Sequence, residues 1–486
     1  MTLNVLFLAA ESEPFVKVGG LGDVAGALPD AINKISVKLP KSQQVDIRLV
    51  LPYHFAIKQK DFSPEFLGEF FVDKKQGFEN CQVYRIIKND IPVYFLDGDP
   101  IDEKSPIYSS EPILDGYKYV FFSVAALKLA EFLKWRVDIL QANDWHTATA
   151  IYALKLGKHP SKYLSKTKTI LSLHNLPFMG FGVQQALTSY GLPPSKDPVL
   201  PEWARHAPLP LGLLYADMII AVSPHYAEEI LTPEFGCSLE KFLLTRKNAI
   251  TGIINGLDTE IWNPAIDPNI KTTFSSDNLS LRKVNKTALQ KTFKLEENND
   301  APLLTLISRM DPQKGIDIAL RGLKYLNNSS WQAIILGTGI PFIEEMAKQL
   351  EQQYPDRVRS IIDFDSNLAH QLYAGADIFM MPSRYEPCGL SQMISMRYGC
   401  VPVARSTGGL TDTINHVSHT INGGTGFLFN RPYPSSFASE LRRAMNYYQK
   451  TPSWIKIQLN GMKINFSWEV SAKKYINVYH QMVNEH

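Results

Sequence analysis

The sequence predicts an α/β protein built from two doubly wound, largely parallel sheets, and three observations predict it. The chain has 486 residues, 45% of them hydrophobic, which exceeds what one core organises, so two domains of about 200 or more residues are expected. Apolar runs of strand length alternate with longer helix-like patterns throughout, the signature of parallel sheets covered by helices. That alternation breaks once, over residues 255–300, a polar stretch that includes NPAIDPN and FSSDNLS and reads as an interdomain connection. The expected division is therefore 1–254, 255–465 and a last segment, 466–486, with the helical pattern Ser467–Val483 packing back toward the first domain.

In the first half the strands are LNVLFLAA, VDIRLVLP, VYRIIK, IPVYFLD, VDILQAND, KTILSLHN and DMIIAVS, with helices over Tyr117–Leu133, Ala148–Leu156 and Pro224–Leu231. In the second they are PLLTLIS, WQAIILG, RVRSIID, DIFMMP and VPVAR, with helices after Lys314, Pro341, Asn367 and Gly389. There is no internal repeat and no low-complexity tract. Two such sheets in one chain put a deep cleft between them, faced by strand C-terminal ends and helix N-termini.

A net charge of +2, with 20% charged residues and no dense Lys/Arg tract, offers nothing for nucleic acid or an acidic membrane. A neutral or small anionic substrate fits better. The cysteines, Cys81, Cys237, Cys388 and Cys400, form no CxxC pair and have no histidine at zinc spacing, which suits reduced thiols in the cytoplasm. The start MTLNVLFLAAE lacks a basic leader and its apolar run stops at Glu11, so it reads as a buried strand rather than a signal peptide. No stretch approaches a membrane span.

FVKVGGLGDVAGALPDAI, residues 15–32, sets Lys17 and three glycines directly ahead of a helix. Gly20-x-Gly22-x-x-Ala25 fits a loose dinucleotide fingerprint, but an eight-residue loop separates Gly19 from the strand. The acid expected at the end of strand two is also missing, because Val45–Leu51 runs into Pro52-Tyr53. A nicotinamide-type oxidoreductase is thus a poor reading.

The loops after the strands hold the other unusual clusters. SRMDPQKG puts Arg309 and Lys314 on a short loop opening a helix, an anion site suited to a diphosphate. In SRYEPCGLSQ, Glu386 is the only acid and Gly389-Leu390 start the next helix; its alternative role is as a cap of that helix. STGGLTD carries Gly408-Gly409, which permit close backbone approach to an anion. In the first half the same edge carries Asp144-Trp145-His146 and His174-Asn175. Asp97-Gly98-Asp99 and Asp363-Phe364-Asp365 have the D-x-D spacing that holds a divalent ion under a sugar diphosphate, but basic groups already cover the phosphates, so no metal and no cofactor is expected.

With KVGGLGDVAGALP, NDWHTA, HNLPFMG, ADMIIAVSPHYAEEI, NGLDTEIWNP, SRMDPQKG, SRYEPCGLSQ, STGGLTDT and FSWEVSAKKY in order along nearly its whole length, the chain resembles the bacterial glycogen synthases and starch synthases. These are ADP-glucose-dependent α-1,4-glucan synthases of the two-Rossmann-domain (GT-B) glycosyltransferase class. The resemblance implies ADP-glucose and an α-glucan as substrates and retention of anomeric configuration, with the leaving phosphate helping to deprotonate the acceptor 4-hydroxyl. It places Lys17, Gly19 and Gly20 at the donor, Arg309 and Lys314 on its phosphates, and Glu386 with the backbone of Cys388, Gly389 and Leu390 on the glucose hydroxyls. His174 lies beside the reacting carbon, Asp144 and Asn255 line the cleft, and Phe364 stacks near adenine. Asp23, Asn175, Tyr385, Thr407, Gly408 and Gly409 complete the expected substrate contacts.

Departures from the family pattern fall on the acceptor side. LPLGLLYAD has Pro210 in a stretch that commonly carries a lysine, SYGLPPSKDPVLPEWAR is unlike the family, and HNLPFMG has Pro177-Phe178 where an alanine and an aromatic are usual. A related retaining enzyme using UDP- or GDP-sugar, or a small acceptor such as glucose 1-phosphate, is the nearest alternative; an inactive glucan-binding protein is another. Association with glucan granules would fit a cytoplasmic enzyme of this kind.

Overall fold

The computed structural model describes residues 2–101, 106–158, 160–327, 329–418, 421 and 423–484. The chain divides into two compact units, Met1–Gly256 with Trp468–His486, and Leu257–Ser467.

The first unit is built on nine strands: β1 Leu3–Leu8, β2 Val45–Pro52, β3 Glu65–Asp73, β4 Phe78–Lys88, β5 Ile91–Asp97, β6 Ile139–Asn143, β7 Lys168–Leu173, β8 Met218–Ala221 and β9 Ile250–Gly252. Their order is β3-β4-β5-β2-β1-β6-β7-β8-β9. All pairings are parallel except β3 with β4 and β4 with β5, which form an antiparallel edge. The central strands are apolar on both faces because helices cover both, as β1 (LNVLFL) shows. β3 escapes the sequence reading because it is a half-exposed edge strand, with Phe66 and Phe71 open to solvent.

The second unit has six parallel strands, β10 Leu303–Ile307, β11 Gln332–Leu336, β12 Val358–Ile361, β13 Ile378–Met381, β14 Val401–Arg405 and β15 Phe427–Phe429, in the order β12-β11-β10-β13-β14-β15. The C-terminal helix Trp468–Asn484 belongs to the first unit, where Trp468, Tyr475 and Tyr479 enter the core. Ser471 Oγ donates to the Ile254 carbonyl at 2.6 Å and fixes the helix at its start.

Residues 257–300 are not a free connection. They belong to the second unit and carry the helix Arg282–Thr292. Its inward face is polar yet paired: Lys286 Nζ lies 2.8 Å from Asp377 and donates to the Ala301 carbonyl at 2.7 Å, and Gln290 bonds Gln332 at 2.9 Å. Buried polar groups with partners stand in for an apolar stripe, so the helical period is invisible to hydropathy. The helix expected at Ala148 begins earlier, at Asp144, directly after β6.

In both sheets the chain leaves adjacent central strands in opposite directions. The crevices lie after β1 and β6 in the first unit and after β10 and β13 in the second, which is where ligands bind in such sheets.

Candidate active site

At the β10/β13 crevice the second unit has a cavity of about 170 Å³ lined by Arg309, Lys314, Ser308, Ser383 and Ser391. Lys314 Nζ lies 2.9 and 2.8 Å from the two carboxylate oxygens of Glu386, and Ser383 Oγ donates to the same carboxylate at 3.0 Å. Glu386 is 4% exposed, so its charge is held by a partner and a hydroxyl rather than by water. The Arg384 N–H donates to the Gln313 carbonyl at 2.7 Å, and the Arg384 guanidinium forms a fork on Asp317 at 2.8 and 2.9 Å. The two crevice loops are thereby fixed to each other. Glu386 does not cap the following helix: Ser391–Arg397 starts after Leu390 without a side-chain cap.

Arg309 has a side chain 68% exposed, near Asp311 at 3.4 Å, and is free to turn toward an anion. Phe364 is 85% exposed, an aromatic face with no cover. The Tyr385 carbonyl accepts from Gln313 at 3.4 Å, and Cys388 is buried behind the loop. Thr407 precedes the short helix Gly408–Thr413. A neighbouring loop also requires glycine at positions 408 and 409. A Cβ on Gly408 would lie 2.1 Å from the Glu386 carbonyl oxygen, one on Gly409 would lie 2.1 Å from that of Cys388, and the Gly409 N–H donates to the Glu386 carbonyl at 3.0 Å. The glycines let the Glu386 loop come close, and so set the acid's position.

In the first unit the loop after β1 turns back on itself. The buried Glu11 carboxylate accepts from the N–H groups of Val18 and Gly19, the latter at 3.0 and 3.2 Å. Lys17 Nζ is 2.6 Å from Asp23. Gly26 is glycine because a Cβ would strike the Glu13 carbonyl at 2.6 Å, but nothing lies within 4 Å of a Cβ on Gly20. Gly20 thus faces open space.

At the end of β6, Asp144 adopts φ +52°, and its carboxylate accepts from the N–H groups of His174 at 2.7 Å and Asn175 at 3.3 Å. The loop after β7 is thus pinned to the loop after β6. Burial pushes the Asp144 carboxyl up to about 7, against those two N–H bonds, with the charge of Glu11 adding to the rise. His174 sits 3.0 Å from the Asn143 side-chain oxygen, and burial lowers its imidazole to about 4. Around neutral pH it is a neutral ring whose hydrogen bond to Asn143 fixes one tautomer. A nitrogen-detected NMR titration should show His174 neutral down to a midpoint near 4; a midpoint at its ordinary value of 6.5 would contradict this environment. His146 is enclosed by Trp145, tilted at 4.2 Å between ring centroids, and Tyr119, edge-on at 4.7 Å, and is buried as a structural residue.

The side-chain oxygens of Asn175 and Asn255 are buried without a partner, unlike most buried acceptors. Both were expected on sequence grounds to touch substrate. Glu11, Asn143 and Ser383 were not singled out. Glu11 had a readable signal, an acid ending an apolar strand at the sheet's ligand-binding edge; the others depend on partners distant in sequence. In each D-x-D pair one acid is engaged by the chain itself, Asp97 by Lys58 at 2.8 Å and Asp365 as the cap of Ser366–Gly375. Among the described residues no three His, Cys, Asp or Glu side chains form a metal-holding group.

Residues 4–245 match the family model described as the starch synthase catalytic domain, and residues 289–458 match glycosyl transferases group 1. The chain is 37% identical to a glycogen synthase of Lactococcus lactis over 486 residues, covering 99% of this chain and all of that one. It is also 37% identical to a glycogen synthase of Thermotoga petrophila, covering 98% of each chain. The catalytic domain of starch synthase IV from Arabidopsis thaliana, solved with ADP and acarbose, superposes with a TM-score of 0.88 at 30% identity over the full length of both. A sucrose-phosphate synthase from Thermosynechococcus elongatus, with a TM-score of 0.61 at 16% identity and 99% of each chain covered, shares the fold. The protein is thus a glycosyltransferase of the class built on two Rossmann-like units, the GT-B fold. Within that class it belongs to the glycogen synthase and starch synthase family.

Proposed function

We propose that the protein transfers glucose from ADP-glucose to the non-reducing 4-hydroxyl of an α-1,4-glucan, retaining configuration at the anomeric carbon and so lengthening glycogen or a starch-like polymer. The observation that carries this reading is the Lys314–Glu386 pair in the β10/β13 crevice, with Arg309 beside it, in a chain of this family. A departing ADP needs its growing negative charge stabilised rather than a strong acid to protonate it, and Lys314 and Arg309 are suited to that. The glucosyl fragment gains positive character, which Glu386 offsets while binding its hydroxyls. A hydrolase-like pair of carboxylates is not offered by this loop, where Glu386 is the only acid, which favours same-face attack aided by the leaving phosphate. The cavity at about 170 Å³ is below the size that takes a whole ligand, roughly 300 Å³ or more, so the nucleoside extends outward toward the bare ring of Phe364.

The same reading assigns Lys17, Gly19, Gly20 and Asp23 to the donor, His174 to the reacting carbon, and Asp144, Asn175 and Asn255 to positioning and binding of sugar. Tyr385, Cys388, Gly389, Leu390, Thr407, Gly408 and Gly409 frame the glucose site. The starch synthase IV relative was solved with ADP, which supports ADP-glucose over other donors. Among the described residues no helix is long and apolar enough to cross a membrane; the free thiols of the four cysteines suit a reducing compartment such as the cytoplasm. Turnover with ADP-, UDP- and GDP-glucose, on glycogen and on glucose 1-phosphate, tests the assignment: ADP-glucose with glycogen should be fastest, and preference for another donor or for the small acceptor would replace this reading with its nearest alternative.

No metal or cofactor is part of this proposal, because cationic side chains neutralise the diphosphate. Activity is therefore expected to persist in excess EDTA. A loss that added Mg²⁺ or Mn²⁺ restores would show that an ion shares the work.

A further inference from the structure

We infer that Glu11 is a positioning residue for the reaction: its buried carboxylate fills the anion site at the N-terminus of the helix Gly20–Ser36 and holds the Lys17–Gly19 turn in its working shape. The inference rests on the proposed function and deepens it.

The geometry is specific. Glu11 follows β1 at the sheet's ligand-binding edge, is 1% exposed, and accepts from the Val18 and Gly19 N–H groups. Those donors, with the start of a 17-residue helix, are the parts from which proteins make phosphate sites. Here the chain's own acid has taken that place. The helix N-cap, Gly19, has no side chain to accept from the helix's first N–H groups, so Glu11 supplies the acceptor for the N-cap, while Asp23 in the first turn adds a second negative charge. Burial raises the carboxyl above its ordinary range, opposed by the N–H groups of Val18, Gly19 and Gly22 and by the Tyr108 hydroxyl, which favour the charged form. Gly22 follows from the same contact: a Cβ there would sit 3.2 Å from Glu11 and 3.0 Å from the Lys17 stem.

Two consequences follow. A donor phosphate does not bind the amides of Val18 and Gly19, because Glu11 already does. Lys17, half-exposed and paired with Asp23, is the cation of this turn that meets the donor, and its aim depends on Glu11. A carboxamide at position 11 keeps the volume but offers one acceptor where two are used and turns an N–H₂ toward backbone donors.

The test compares wild type with Glu11→Gln, Glu11→Asp, Lys17→Gln and the double variant Glu11→Gln/Lys17→Gln, reading kcat, KM for ADP-glucose, ADP Kd and melting temperature. Glu11→Gln should lower kcat by about tenfold or more with ADP Kd within about threefold, since the nucleotide is held elsewhere. Glu11→Asp, charged but one methylene short of its partners, should lie between. The double variant should be within about threefold of Lys17→Gln alone, because both act through one turn. Unchanged kcat in Glu11→Gln and Glu11→Asp despite a lower melting temperature would reduce Glu11 to a structural acid and overturn the inference. So would losses that multiply with Lys17→Gln. If Glu11→Gln does not fold, the aspartate variant decides by the same kcat criterion. A wild type that does not use ADP-glucose would overturn the proposed function and this inference together, whereas an active wild type with indifferent variants overturns the inference alone.

Discussion

Glu386→Gln and Glu386→Ala are expected to lower kcat by at least about 10² while ADP Kd stays within about threefold of wild type. The carboxylate is assigned to the glucose, where its contribution grows as the anomeric carbon becomes cation-like; the nucleotide lies on other groups. Glutamine keeps size and one acceptor but removes charge, so a residual rate near wild type in Glu386→Gln would mean a purely positional role. Melting temperature alone does not discriminate. Either substitution leaves Lys314 without its counter-charge, and breaking a largely buried ion pair costs stability, here about 1–3 kcal/mol because Lys314 keeps some contact with water. Only kcat separates a catalytic acid from a structural one, and a near-normal kcat with a lowered melting point would refute the assignment.

Lys314→Gln and Arg309→Gln should each lower kcat by about 10²–10³, the effect of removing one preorganised donor from a developing anion. Their side effects should differ. Arg309 is 68% exposed, so its loss should leave stability within about 0.5 kcal/mol. Lys314→Gln strands the buried Glu386 carboxylate, so its melting temperature should fall and part of its kcat loss should come through Glu386. Combining Lys314→Gln with Glu386→Gln should accordingly cost less than the product of the two single losses. A normal rate in either single variant would mark that residue as an ordinary surface charge.

The parallel sheets and the loops that matter were readable because buried parallel strands are continuous apolar runs, and because ligand loops concentrate glycine and charge at one sheet edge. Glu386 stood out as a lone acid. Lys314 stood out as well, as a diphosphate contact, but its pairing with Glu386 did not, since the two are brought together by β10 and β13 lying side by side, a pairing absent from local sequence. Gly408 and Gly409 look the same in sequence whether a ligand or a neighbouring loop requires them, and the 2.1 Å approaches to Glu386 and Cys388 show that the neighbouring loop does. The helix Arg282–Thr292 was hidden for the opposite reason, burying Asn285, Lys286 and Gln290 where an apolar stripe would have announced it.

The most direct test of the central claim is incubation of the purified protein with ADP-[¹⁴C]glucose and glycogen, followed by polymer precipitation and digestion with an α-1,4-specific exo-amylase. Label should enter the polymer, grow with time and be released by the digestion. Label that remains in ADP-glucose, or appears only as free glucose, would contradict the claim that this protein extends an α-1,4-glucan.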